Sequence, residues 1–124
     1  MAKILVVDDD PDIVEGVKLF LEKEGHELAS AMNREEGMAL VEGFEPDLLI
    51  LDVMMEQPDD GIAMAQELRR QDFRAPILML TSIGKATGMQ YDKDGEMVPV
   101  DAFQEKPVAP DKLVKLVNQL LSQE

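Results

Sequence analysis

Three runs of four aliphatic residues punctuate the chain, and each ends on a polar side chain. Ile4-Leu5-Val6-Val7 runs into Asp8 and Asp9, Leu48-Leu49-Ile50-Leu51 into Asp52, and Ile77-Leu78-Met79-Leu80 into Thr81. A fourth, shorter apolar stretch at Ala102-Phe103 precedes Lys106. Short continuous apolar runs indicate strands buried on both faces, as in a parallel sheet. Between them the period changes to that of a helix. After a strand over Lys3 to Asp8, Asp10-Pro11 reads as an N-cap and first-turn pair. Ile13, Val14, Val17, Phe20 and Leu21 then recur at helical spacing until Gly25. His26 to Ala31 reads as a second strand, and Asn33 with Glu36 as a capping box for a helix reaching Gly43. Pro46-Asp47 introduces the strand Leu48 to Asp52. A loop over Met54–Asp60 leads to a helix from Ile62 to Arg70, and Pro76 opens the strand that ends at Thr81. A last helix begins near Pro110 and carries Leu113, Leu116, Val117, Leu120 and Leu121 on one face.

One stretch breaks the alternation. A helix is due after Thr81, yet Ser82 to Val100 contains Gly84, Gly88, Gly95 and Pro99 and shows no helical apolar stripe. Asp94-Gly95 is instead a two-residue hairpin signal, and pairing about it sets Met89 opposite Val100 and Tyr91 opposite Val98. The segment reads as a hairpin or ordered loop, with a flexible loop as the competing reading.

Composition narrows the function. The 124 residues suit a single domain over 1–124. With 26 acidic against 12 basic residues the net charge is -14, a field that opposes phosphate backbones and anionic lipid. Nucleic-acid and membrane partners are therefore not expected for this domain. Cysteine is absent, which removes disulfide and thiolate chemistry. The apolar stretch after Met1-Ala2-Lys3 is too short for a signal-peptide core, so the expected location is cytoplasmic. Asp92, Asp94 and Glu96 imitate the start of a calcium loop, but Phe103 stands where the closing Glu would be, and that reading fails. His26 reads as an exposed structural residue, and Arg69-Arg70 as a helix-end pair.

In open α/β sheets, ligands bind outside the carboxyl ends of the strands. Asp8, Asp9, Asp52, Thr81 and Lys106 thus form one candidate site. Their order, with the segments Ile4–Asp10, Asp47–Met55, Pro76–Thr81 and Lys106-Pro107-Val108, resembles the receiver domain of two-component response regulators across nearly the whole chain. The resemblance implies an α/β, flavodoxin-like, doubly wound five-stranded parallel sheet in the order 2-1-3-4-5. It makes Asp52 the acceptor of a phosphoryl group from a histidine kinase, a phosphotransfer protein or a small acyl phosphate. It also implies a Mg2+ ion, or Mn2+, held by Asp8, Asp9, Asp52 and the backbone carbonyl of Met54, with Asp8 acting through water. Thr81 and Lys106 would hold phosphoryl oxygens, and Phe103 would swing inward with Thr81 as the switch. A carboxylate nucleophile and a cation to offset its acidic neighbours are also what the residues themselves suggest.

Two departures from the family pattern stand out. The usual Pro-Gly-x-Asp-Gly loop after the acceptor is replaced by Glu56-Gln57-Pro58-Asp59-Asp60-Gly61, one residue longer and more acidic, which should slow anionic small-molecule donors. The segment Ser82–Val100 is also longer and poor in helix signal, so the expected helix is remodelled, and the dimer typical of DNA-binding regulators is not expected. Ile83 and Met54 flank the approach of water, suggesting slow self-dephosphorylation. The chain's end after the last helix suggests a stand-alone receiver or a module of a hybrid kinase or multidomain regulator. Two competing functions are weaker. A phosphatase lacks its second Asp, where Met54 stands, and an unphosphorylated scaffold is at odds with a complete set of site residues. The downstream protein is left open.

Overall fold

The computed structural model describes residues 2–52, 60–82, 102–106 and 109–122. The expected hairpin within 83–100, the Met54 carbonyl, the longer loop after Asp52, and Ile83 lie outside the described residues. Thr81, Phe103 and Lys106 are described by backbone position alone.

Five strands form one parallel sheet: β1 (Lys3–Val7), β2 (Glu27–Ala31), β3 (Leu48–Asp52), β4 (Ile77–Ser82) and β5 (Ala102–Lys106), in the order β2-β1-β3-β4-β5. The helices are α1 (Pro11–Lys23), α2 (Arg34–Phe44), α3 (Asp60–Arg70) and α4 (Pro110–Leu121). Alternate side chains of each strand point to opposite faces, and here both faces are covered. Leu5, Val7, Leu49, Leu51, Ile77 and Met79 pack against Met64, Ala65 and Leu68 of α3 and the apolar side of α2. Ile4, Val6, Leu48, Ile50, Leu78 and Leu80 pack against Val14, Val17 and Leu21 of α1 and Leu113, Val117 and Leu120 of α4. This two-sided burial explains why the strands are uninterrupted apolar runs rather than alternating ones. At Gly37 the layers meet most closely: a Cβ there would lie 2.8 Å from Met64 Cε and 3.0 Å from a Val7 methyl. Glycine lets α2 approach β1.

Local sequence accounts for most element ends. Asp10 caps α1 by accepting from Asp12 N–H, and Pro11 occupies the first turn. Gly25, at φ 92°, closes α1 in a Schellman motif, with Gly25 N–H on the Glu22 carbonyl and His26 N–H on that of Leu21. Asn33 caps α2 by accepting from Glu36 N–H, and Glu36 returns a bond to the N–H of Met32, one residue earlier than a standard capping box would have it. Two ends differ from expectation. Helix α2 continues past Gly43 to Phe44, and Glu45 takes the left-handed conformation at φ 54°. Helix α3 starts two residues early, at Asp60, and ends in a second Schellman motif with Asp72 at φ 73°. Asp tolerates that conformation better than most residues.

Candidate functional site

Strand order places the acidic residues together. β1 and β3 are neighbours in register, with Val7 opposite Leu51, which sets Asp8 beside Asp52 at the carboxyl edge. Here the connections diverge, the chain leaving β1 running through α1 to β2 on one side and the chain leaving β3 running through α3 to β4 on the other. Open α/β sheets bind ligands beside this kind of switch point. Asp8 is 1% exposed and Asp52 4%, the two buried charged residues among those described, while Asp9 is exposed. One carboxylate oxygen from each of Asp8, Asp9 and Asp52 lies within 4.8 Å of the others. Two ionised carboxylates that close repel by about 3 to 4 kcal/mol at an effective dielectric near 20. A fold that gathers three of them favours a cation between them.

The donor set narrows the class of cation. All three contributions are hard carboxylate oxygens, which suit Mg2+ or Mn2+ and give a soft metal no thiolate or imidazole. The residues therefore fit a divalent cation of that class.

The backbone of β4 and β5 extends the same edge. Asp52 pairs with Leu80, so Thr81 is one position further along β4, opposite Glu105. Lys106 is the last residue of β5, opposite Ser82, rather than just beyond the strand as the sequence suggested. Phe103 lies opposite Met79, inside the sheet's span. The register thus brings all five polar positions to one edge.

One contact escaped the sequence reading. Asp10 N–H donates to Asp8 Oδ1 at 3.0 Å, while Asp8 N–H continues the ladder to the Ala31 carbonyl at 3.1 Å. Asp10 was legible as a helix cap, but its bond to the acidic cluster was not, because the spacing of Asp8 and Asp10 does not announce an Asx-type turn. His26 also differs from expectation. It is half-buried, and its Nδ1 accepts from Ala2 N–H at 3.1 Å. Burial holds its pKa below the ordinary 6.5, against an upward pull from Glu24. Arg69, expected to be only a helix-end charge, donates to the carbonyls of Phe73 and Ala75 at 2.7 and 3.0 Å. Among the described residues, no helix is long and apolar enough to cross a membrane.

Known proteins share both the sequence and the fold. The family model described as the response regulator receiver domain matches residues 4–118. The alkaline phosphatase synthesis transcriptional regulatory protein PhoP of Bacillus subtilis is 38% identical over 120 residues, covering 96% of this chain and 48% of that protein. The DNA-binding dual master transcriptional regulator RpaA of Synechocystis is 35% identical over 123 residues, covering 98% and 49%. The chain spans about half the length of these curated relatives. Among solved structures, the receiver domain of the Francisella response regulator 1452 superposes with a TM-score of 0.86 at 28% identity, covering 99% of this chain and 98% of that one. The receiver domain of NtrX from Brucella abortus gives 0.83 at 29%, covering 98% and 99%. With a family match over nearly all of its length and a sheet order and acidic edge that fit it, the chain belongs to the response regulator receiver domains, the phosphorylation-controlled modules of two-component signalling.

Proposed function

We propose that Asp52 is the phosphoryl acceptor of this receiver and that Asp8, Asp9 and Asp52 hold the Mg2+ ion, or Mn2+, on which the transfer depends. The observation that carries this reading is the convergence of those three carboxylates within 4.8 Å at the carboxyl edge between β1 and β3. A bound divalent cation would offset the repulsion between the carboxylates and an incoming phosphoryl group and would bind a phosphoryl oxygen. The remaining chemistry belongs to the chain. A carboxylate oxygen of Asp52 forms the new bond to phosphorus as the bond to the donor breaks. From a phosphohistidine, the departing imidazole nitrogen keeps the electron pair and takes up a proton. Lys106 supplies an ammonium charge and Thr81 a hydroxyl donor for phosphoryl oxygens, roles supported by their register at the same edge. By family resemblance, Met54 would contribute a backbone carbonyl to hold the cation. Movement of Thr81 toward the phosphoryl group would draw Phe103 inward and repack the face around β4 and β5, converting a local charge into a changed protein contact.

The donor we infer is a histidine kinase or phosphotransfer protein, and the output is a protein contact. We assign residues 1–124 to one domain that catalyses only its own phosphoryl transfer and dephosphorylation. PhoP and RpaA are named as transcriptional regulators, RpaA as DNA-binding. If this chain serves a similar protein, DNA contact falls to another part, because the charge of -14 repels a phosphate backbone. A cytoplasmic setting follows from that role.

Incubation with Mg2+ and a phosphodonor, followed by intact-mass measurement, tests the reading. We expect the mass of one phosphoryl group on the unaltered domain and none on Asp52→Asn or when Mg2+ is chelated. An adduct that persists in Asp52→Asn overturns the assignment of the acceptor. No adduct with either a kinase or a small-molecule donor would favour an unphosphorylated scaffold.

A further inference from the structure

We propose that Asp10 is a positioning residue for the cation site, acting through the start of α1, an inference that rests on the reading of Asp8, Asp9 and Asp52 as cation ligands. Asp10 N–H donates to Asp8 Oδ1 at 3.0 Å and so fixes how the buried Asp8 carboxylate is turned. The direction of that N–H depends on the backbone of Asp10, which sits at φ -97°, ψ 109° as the N-cap of α1. Three restraints hold it there. The Asp10 carboxylate accepts from Asp12 N–H at 3.0 Å, the Asp10 carbonyl accepts the first helical bond from Val14 N–H at 3.1 Å, and Pro11 disfavours a helical conformation for the residue before it. Helix α1 is in turn anchored by Val14, Val17 and Leu21, which are buried against the sheet. The chain of contacts therefore runs from the core, through the helix cap, to a ligand of the proposed cation.

Two consequences follow. Loss of the cap lets the peptide between Asp9 and Asp10 reorient, and Asp8 loses a donor that aims it. Groups that orient a metal ligand from behind typically contribute 10- to 100-fold to affinity. Because coupling is reciprocal, cation binding also tightens the first turn of α1. The role belongs to the cap and not to the charge, so Asn or Ser at position 10, both good N-caps, retains it.

Calorimetric Mg2+ titrations of the unphosphorylated domain, with thermal melts without Mg2+, test this. Asp10→Ala is expected to raise the Mg2+ dissociation constant about 10-fold or more, and Asp10→Asn and Asp10→Ser to restore most of it. Amide exchange on the unaltered domain should slow at Asp10, Asp12 and Val14 when Mg2+ is added, while Leu113, at the matching place in α4, does not change. Undiminished Mg2+ affinity in Asp10→Ala overturns the inference alone, even if the melting temperature falls. Equal losses in Asp10→Asn and Asp10→Ala overturn it in favour of a charge effect. Failure of the unaltered domain to bind Mg2+ overturns the cation site itself and this inference with it.

Discussion

The two edges of the sheet treat charge in opposite ways. At the carboxyl edge, Asp8, Asp9 and Asp52 bring charges of one sign within 4.8 Å of each other, two of them buried. At the amino edge, polar groups meet complementary partners that tie the strand starts together. Lys3 N–H donates to Asp47 Oδ2 at 2.9 Å, and Asp47 N–H returns a bond to the Lys3 carbonyl. Lys3 Nζ also lies 5.6 Å from the centre of the Phe44 ring. Ala2 N–H meets His26, and Arg69 clamps the turn before β4 through two carbonyls and the Phe73 ring. One edge ties the strand starts together through complementary groups, and the other gathers charges of one sign that a cation would offset. Functional sites commonly sacrifice stability in this way.

The largest expected effect is on the cation. Mg2+ at one hundred times its dissociation constant should stabilise the domain by about 2.7 kcal/mol, and Asp8→Asn should remove that gain, as read by urea unfolding with and without Mg2+. Equal Mg2+ stabilisation of the variant would break the comparison. Without Mg2+, Asp8→Asn and Asp52→Asn should each raise stability by about 1 to 2 kcal/mol, less than the full pairwise repulsion because each carboxylate also has other interaction partners. A lowered denaturation midpoint for both would show that the carboxylates support the fold rather than strain it.

At the amino edge the sign reverses. Arg69→Ala removes a charged donor from two carbonyls and should cost about 1.5 to 3 kcal/mol, with the extent of phosphorylation unchanged. A phosphorylation defect in a folded Arg69→Ala domain would blur the division between the edges. The smallest effect belongs to His26. Its pKa is lowered in the folded state, so the unfolded chain takes up the proton first as pH falls. Its contribution is complete above the ordinary value of 6.5 and drains away as pH falls through that value toward the folded one. His26→Gln should flatten this part of the melting-temperature profile, and an unchanged slope would remove His26 from the amino-edge contacts.

Most element ends were legible because a local group dictates them. Asp10 and Asn33 offer side-chain acceptors to the free N–H groups of a first turn, and Gly25 supplies a left-handed residue without steric cost. The left-handed Glu45 and Asp72 were not legible, since neither is glycine. In each case the connection between helix and strand sets the conformation, at Asp72 with Arg69 holding the carbonyls just beyond. His26 and Arg69 were misjudged for a related reason: their partners, Ala2 and the turn at Phe73 to Ala75, are met only once the chain has folded back.

Hydrophobic periodicity alone established that apolar runs alternate with amphipathic helices and that carboxylates stand at the ends of two runs. Those features are local, set by the burial of each strand on both faces and by the residues that stop it. Periodicity could not choose the order of the strands, because runs buried on both sides are satisfied by many neighbours; resemblance to the family supplied the expected order. The tertiary structure set β1 against β3 and turned two distant aspartates into adjacent buried charges. It also decided that the cap of α1 reaches Asp8. Chain connectivity around the sheet, and not any local preference, brought the acidic residues together at one edge.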